Sequence, residues 1–334
     1  MPGGLPVPGH EKLRPSFKMK ILVTGGAGFI GSHLTQALVA ARQKVRVLDN
    51  LSSGKIQNLE EVKKKVDFIH GDIRDPQVLR RAIRGVEVIF HQAALRSVPK
   101  SLRNPLEYHE VNVTATLSLL LKCALEERVR RVVYASSSSV YGRAPLPQKE
   151  EMPAGPQSPY AASKLCSEVY ATMLTRLDGL ETVGLRYFNV FGPRQSLESE
   201  YAVVVPKFIA CLLKGEPPPI HGDGRQTRDF TYVENVVLAN LRAATAAKAA
   251  GQVFNVASGQ RHSVRELATL LARRIGVRDR PQFLAVRPGD VRHTWASITK
   301  AKRLLGYRVQ VPFVEGLDRT VVWFLKHPEA WRSR

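Results

Sequence analysis

Only three cysteines, Cys123, Cys166 and Cys211, occur in the 334 residues. An odd number without CxxC spacing excludes a disulfide framework or thiolate metal knot and predicts buried helical thiols in a reducing cytosol. Acidic side chains are also scarce, 29 Asp and Glu against 50 Lys and Arg, for a formal charge of +21. That excess attracts any polyanion, whether nucleic acid, acidic lipid or phosphorylated metabolite. The basic residues are dispersed, with only short clusters at 63–65 and 128–131, and most of them read as a solvated surface. No basic strand is interleaved with aromatics for stacking bases, so no nucleic-acid partner is expected. No apolar run approaches the ~18–20 residues needed to cross a bilayer, so no membrane partner is expected and the protein is placed in the cytoplasm. The nine histidines are scattered without metal-ligand spacing, and no metal is expected. Residues 1–18 are rich in Pro and Gly and lack the apolar stretch and cleavage site of a secretion signal; they are expected to form a flexible tail.

What is present is enough apolar sequence, 44%, to bury a full core. From Lys20 onward, short β-branched runs alternate with helical periodicity: KILVT, GSHLTQALVAARQ, KVRVLDN, then DFIHGD, VEVIFHQAA and RRVVYASS. That rhythm predicts a parallel sheet wrapped by helices, and the near-continuous hydrophobicity of the strands says that both sheet faces are covered. Helices are expected over 77–84, 106–126 and 160–176, and a strand over 182–186. Beyond it, Gly192, Pro193, Pro206 and the prolines at 217–219 break the alternation. The expected architecture is an α/β, Rossmann-type doubly wound parallel sheet over 19–188 with a smaller C-terminal substrate-binding lobe over 189–330. A helix at 229–247 and a strand at 253–256 are expected to return to the first lobe.

The segment TGGAGFIGSHL joins the first strand to the first helix, with glycines at 25, 28 and 31. Gly25 permits the tight turn, Gly28 lets backbone amides approach a pyrophosphate, and Gly31 allows close helix–strand packing. Asp49 ends the second strand eighteen residues after Gly31, where a carboxylate bonds an adenosine ribose 2′-hydroxyl. With no adjacent Arg to take a 2′-phosphate, NAD is favoured over NADP; the plainer reading of Asp49 and Asn50 is a turn-forming pair. Asp72, closing the third strand, is placed to reach the adenine amino group. Ala93 and Ala94 are small enough to let backbone pass the cofactor. His91 reads as a packed core residue.

Tyr160 and Lys164 stand four residues apart and so share one helix face. A phenol with an ordinary pKa near ~10 is a poor base at neutral pH, and a neighbouring ammonium together with a cationic nicotinamide would favour its phenolate. Ser137 lies in a run of four serines at the C-terminal end of a strand, where open α/β sheets place ligands.

The sequence resembles the extended short-chain dehydrogenase/reductase family, and within it the UDP-sugar 4-epimerases, especially the UDP-N-acetylglucosamine branch. The likeness spans about 20–325 and rests on TGGAGFIGSHL, HQAALRSVPKS, VNVTAT, YASSSSVYG, SPYAASK, LRYFNVFGPRQ, HGDGRQTRDFTYVENV and RPGDVRHT. It implies an NAD-dependent isomerase with Tyr160, Lys164 and Ser137 as its catalytic group. It implies further cofactor contacts from Phe29, Ile30, Ser53, Gly54, Ile73, Gln92, Asn112 and Tyr187. Arg96 stands where many members carry a cofactor-contacting lysine, and the N-acetyl-sugar branch often has glycine there. Ser138, Ser139 and Asn189 would line the sugar pocket, and Val203 and Val204 would lie beside uracil. Arg228, Arg287 and Asp290 would hold diphosphate and ribose. Thr294 occupies a position where a bulky tyrosine restricts some members to unsubstituted hexoses. The resemblance also implies a homodimer joined through 106–126 and 160–176. Family alternatives are a uronate 4-epimerase, a decarboxylase or a dehydratase, although Ser138 and Ser139 cannot supply the acid/base pair that water elimination needs. An alternative of another class is a non-catalytic dinucleotide-fold protein that binds nucleic acid.

Overall fold

The computed structural model describes residues 19–127, 129–197, 204–286 and 291–332; the expected tail at 1–18 lies outside the described residues. The β-branched runs form β1 (Lys20–Thr24), β2 (Lys44–Asp49), β3 (Val66–His70), β4 (Val88–His91), β5 (Arg131–Ser137) and β6 (Glu181–Tyr187). Between them lie α1 (Phe29–Ala40), α2 (Pro76–Ile83), α3 (Val98–Arg103), α4 (Pro105–His109), α5 (Ala115–Leu121) and α6 (Pro159–Asp178). The second half comprises β7 (Val190–Phe191), α7 (Val204–Leu213), β8 (Pro219–His221), β9 (Thr227–Arg228), β10 (Thr231–Tyr232), α8 (Val233–Ala243) and β11 (Gln252–Val256). It ends with β12 (His262–Ser263), α9 (Val264–Ile275), β13 (Gln282–Leu284), α10 (Thr299–Leu305), α11 (Phe313–Lys326) and α12 (Glu329–Arg332).

Seven parallel strands form one sheet in the order β11-β6-β5-β4-β1-β2-β3. One face is sealed by Leu34 and Leu38 of α1 and Val236 and Val237 of α8, the other by Leu79 of α2, Leu119 of α5 and Leu174 of α6. A strand covered on both sides must be apolar throughout, which is why β4 is buried at every residue. The chain winds outward to β2 and β3 on one side of β1 and to β4 on the other. A crevice therefore opens at the C-terminal ends of β1 and β4, where ligands of such sheets bind. A second apolar cluster, built on α7, α9 and α11 with Phe191, Phe230 and Phe313, also takes in Phe29 at the start of α1. The glycine-rich turn is thus braced by both cores.

Local chemistry sets the boundaries of the site-bearing elements. Ser158 caps α6 by accepting from the Ala161 amide and Pro159 occupies its first turn, which puts Tyr160 at the start of the helix. Gly179 ends it in a left-handed conformation, φ +71°.

The helix expected at 106–126 is present from Pro105 to Glu126, with two wider turns inside it, Glu110–Thr114 between α4 and α5 and Lys122–Glu126 after α5. Two expectations need correction. Residues 229–247 do not form one helix, because Asp229 is drawn into a loop network and Thr231–Tyr232 pairs with Val190–Phe191; α8 covers only Val233–Ala243. Of the three thiols only Cys123 is fully buried. Cys166 shares the outward face of α6 with exposed Val169 and Met173, and Cys211 sits among the charges of Lys207, Lys214 and Glu216.

Candidate active site

The turn after β1 is closed by Gly25, whose φ of +67° is open to glycine; a side chain there would meet the Ala93 backbone at 2.7 Å. At Gly31 a Cβ would lie 2.1 Å from the Gly25 carbonyl, so the third glycine is what lets α1 start against the turn. Gly28 is the N-cap of α1, without a side-chain cap and with no acidic residue in the first turn. Gly28, Phe29, Ile30 and Gly31 all line one cavity, so the helix end faces a concavity suited to a pyrophosphate. Asp49 lies beneath this turn. Its carboxylate accepts from the Ala27 amide at 2.9 Å and the Leu51 amide at 2.8 Å, and burial raises its pKa against those two donors. The turn-forming reading of the residue is met, and it leaves the other one open. It shapes the turn, and with two of about four lone-pair positions used it can still receive a ribose hydroxyl. Gly54 packs on this carboxylate, a Cβ there falling 3.0 Å from both oxygens, and it stands behind the cavity wall rather than in it.

Beyond Asp49 the cavity continues past Asn50, Ser53, Asp72 and Ile73. The Asn50 amide donates to Asp72 at 2.8 Å, and Arg74 grips the same carboxylate through Nε at 3.0 Å and Nη2 at 2.8 Å, holding Asp72 down at about 2. In the other direction it runs past Gln92, Ala93, Ala94 and Arg96 to Tyr187, Tyr160 and Lys164. The polar ends of Gln92 and Tyr187 turn away. Gln92 Nε2 donates to Asn240 at 3.2 Å, and Asn240 donates to the Tyr187 hydroxyl at 2.9 Å. What Tyr187 offers the cavity is its ring. His91 is buried between Thr24 Oγ1 at 2.7 Å and Thr116 Oγ1 at 2.9 Å, which makes it a core residue. Burial and then Lys164 lower its pKa to about 3, so it is neutral.

Ser137 is close enough to Tyr160 to act on its phenol. Ser137 Oγ accepts from the Ser139 amide at 3.2 Å and from the Ser139 hydroxyl at 2.9 Å, which leaves its own proton to point at the phenol. Burial raises the Tyr160 pKa; Ser137 and then Arg96 pull it back. Lys164 was expected to do this directly, but its ammonium donates to the Ala135 carbonyl at 2.9 Å and is lowered by burial to about 8. Asn112, buried in the wide turn after α4, does not line the cavity. It accepts from the Leu95 amide at 2.8 Å and donates to the Leu95 carbonyl at 2.9 Å, so it holds the loop carrying Arg96.

Outside the cavity lining, Asn189 adopts a φ of +33° and donates to Thr294 Oγ1 at 2.9 Å. The same Thr294 oxygen accepts from the Asp229 amide at 3.3 Å. Asp229, raised by burial to about 6, receives Ser258 N, Ser258 Oγ, Gly259 N and Ala296 N, pinning three loops together. Arg228 bonds the carbonyls of Thr227 and Arg292 at 3.0 Å each. Partial burial followed by Arg292, Arg261 and Arg228 lowers His293, marking a cationic cluster of which only Arg228 was singled out from sequence. Ser138, Ser139 and Val204 are half-buried, at the turn after β5 and the start of α7. Val203, Arg287 and Asp290 lie outside the described residues. Sequence reasoning also missed Arg74, Tyr108 and Glu168. The signal for Glu168 was available, since it follows Tyr160 and Lys164 at helical spacing.

One cavity thus joins a glycine-cradled helix end and the Asp49 carboxylate to Tyr160 and Lys164, the layout of a dinucleotide-dependent enzyme. Residues 21–257 match the NAD dependent epimerase/dehydratase family, and the chain belongs to that family. Over 311 residues it is 42% identical to a UDP-glucose 4-epimerase of Mycolicibacterium smegmatis, covering 92% of this chain and 98% of the relative. Its structure is similar to a UDP-N-acetylglucosamine 4-epimerase of Methanobrevibacter ruminantium in complex with UDP-N-acetylmuramic acid, with TM-score 0.89, 40% identity and coverage of 93% and 99%. It is also similar to a UDP-glucose 4-epimerase of Thermotoga maritima with UDP-glucose, with TM-score 0.88, 38% identity and coverage of 93% and 100%. The cofactor is NAD, and the cradle fits it. Among the described residues no His, Cys, Asp or Glu group is arranged to hold a metal, and no helix is long and apolar enough to cross a membrane.

Proposed function

We propose that the protein inverts the C4 configuration of a UDP-hexose, accepting N-acetylated UDP-sugars as well as UDP-glucose and UDP-galactose. The observation that carries this reading is that Tyr160 and Lys164 line the same cavity as the glycine-rich turn and Asp49, with Ser137 acting on the Tyr160 phenol. NAD, when bound, supplies a reversible hydride acceptor for the C4–H of the sugar. The turn of α1 would hold its pyrophosphate, Asp49 the adenosine ribose and Lys164 the nicotinamide ribose.

The chain's own residues handle the proton. Tyr160 as phenolate takes the proton of the C4 hydroxyl while Ser137 hydrogen-bonds the same oxygen, and a 4-ketosugar results. The cationic cluster around Arg228 would keep the diphosphate anchored while the hexose turns over. Tyr160 then returns a proton to the oxygen on the opposite face, and no net redox change occurs. Positioning and proton transfer are what the protein contributes. Dehydration is disfavoured: the Ser139 hydroxyl is committed to Ser137, and neither Ser138 nor Ser139 is an acid/base partner. Tolerance of an N-acetyl group is read from Thr294, a small side chain facing Asn189.

Two further readings belong here. Leu106, Leu125, Val169, Met173 and Leu177 are exposed apolar residues on or beside α4, α5 and α6, and they support a homodimer joined through these helices. A cytoplasmic location is consistent with the free thiols. Incubating the NAD-loaded protein separately with UDP-glucose, UDP-N-acetylglucosamine and UDP-glucuronate, then resolving C4 epimers by proton NMR, tests the activity and its substrate. Turnover of the first two supports the reading. Turnover of UDP-glucuronate alone, or of none, rejects it.

A further inference from the structure

Arg96 has no task in the steps above, yet the chain on both sides of it is fixed. On one side Asn112 bonds both the amide and the carbonyl of Leu95, at 2.8 and 2.9 Å. On the other, the Ser97 amide donates to the Tyr108 hydroxyl at 3.0 Å. Both clamps rest on the turn that carries Tyr160. Asn112 also donates to Ser163 Oγ at 3.1 Å, and Ser163 donates to the Tyr160 carbonyl at 2.8 Å. The Tyr108 ring packs edge-on against the Tyr160 ring, centroids 6.4 Å apart. Arg96, carried between these clamps, lines the same cavity as Tyr160.

We propose that Arg96 is a positioned cation that favours the ionised form of Tyr160 from the open side of the cavity. The inference rests on the reading of Tyr160 as proton acceptor. Its charge persists at every working pH, whereas Lys164 begins to lose its own near 8. The groups facing Tyr160 are Ser137 from β5, Glu107 and Tyr108 from α4, Tyr187 from β6 and Lys164 from its own helix. Among the charged ones, Glu107 opposes Arg96 in sign and Lys164 is engaged with Ala135. Because Arg96 is exposed, salt screens its effect, and the expected size is about one pH unit.

The test is an alkaline titration of the NAD-loaded protein by tyrosinate absorbance, with the matching Tyr160→Phe protein subtracted as blank, in wild-type, Arg96→Met and Arg96→Lys backgrounds. Arg96→Met raises the Tyr160 midpoint by about one unit and Arg96→Lys by less than half of that. Added salt raises the wild-type midpoint and leaves that of Arg96→Met in place. The acidic limb of the kcat profile moves upward by the same shift. Should Arg96→Met fail to fold, Arg96→Gln, which also removes the charge, gives the same rise. An unmoved midpoint in a folded Arg96→Met protein overturns the inference, and if that protein also sheds NAD, Arg96 is a cofactor contact instead. Failure of the underlying reading has a different signature: turnover surviving in Tyr160→Phe.

Discussion

Arg186 holds Glu168 through two parallel hydrogen bonds, Nε to Oε1 at 2.9 Å and Nη2 to Oε2 at 2.7 Å. The Ser136 hydroxyl donates to the same carboxylate at 2.5 Å, and both charged side chains are less than a tenth exposed. Glu168 lies one turn beyond Lys164 on α6, while Arg186 precedes Tyr187 on β6. The pair therefore fastens the catalytic helix to two strands directly behind the serines and the lysine, and it supports the charge of Lys164 against burial.

Breaking that pair on one side leaves a buried charge uncompensated. Glu168→Gln should cost about 3–5 kcal/mol of folding stability, while Glu168→Gln combined with Arg186→Met should cost clearly less than the two single losses added together. Urea unfolding of the three variants measures it. Additive losses would mean that the two groups act independently.

Lys164 carries a stability prediction with a definite sign. Its pKa falls to about 8 from an ordinary 10.5, so the unfolded chain binds this proton more tightly than the folded one. The ammonium costs the fold about 3 kcal/mol below pH 8, and that cost fades as pH climbs from about 8 toward 10.5. Lys164→Met removes it along with one hydrogen bond to Ala135 worth about 1 kcal/mol. At pH 7 the variant should be more stable than wild type by about 2 kcal/mol and at least about 100-fold slower in turnover. The stability gap should close near pH 10. A gap that widened with pH would refute the burial argument.

Asp49 should govern both retention and choice of cofactor. Asp49→Asn keeps much of the turn but removes the charge that receives a ribose diol and repels a 2′-phosphate. NAD affinity should fall at least about tenfold, and discrimination against NADP should shrink with it, as read by calorimetric titration of cofactor-stripped protein. Unchanged affinity for both dinucleotides would reduce Asp49 to a turn former.

Two glycines separate packing from backbone strain. An alanine at Gly31 would drive its Cβ into the Gly25 carbonyl, whereas Gly179, at φ +71°, has nothing within 4 Å. Gly179→Ala should cost about 1 kcal/mol, the ordinary left-handed penalty. Gly31→Ala should cost several times that and lose NAD binding, as thermal unfolding with and without NAD would show. Equal costs would contradict the close approach described for α1.

The parallel sheet was legible because strands covered on both faces must be apolar along their length, and the glycine spacing of the first turn because each glycine answers a separate steric demand. Tyr160 and Lys164 could be paired from helical spacing together with the serine run at the C-terminal end of a preceding strand. What spacing could not reveal was where their polar ends go. Lys164 turns to the Ala135 carbonyl, Gln92 and Tyr187 turn to Asn240, and Asn112 serves the loop at Leu95. Those choices depend on partners distant in sequence. The helix expected at 106–126 is there, but its two widened turns were not legible, because periodicity does not register an inserted residue. Asp229 looked like the start of a helix but serves loops at 258–259 and 296, contacts that no local pattern encodes.

The turnover rate of NAD-loaded Tyr160→Phe protein, followed as C4-epimer formation from a UDP-hexose, bears most directly on the account. Loss of about 100-fold or more, with stability and bound NAD unchanged, is the expected result. A rate equal to that of the unsubstituted protein would show that some other group moves the C4 hydroxyl proton.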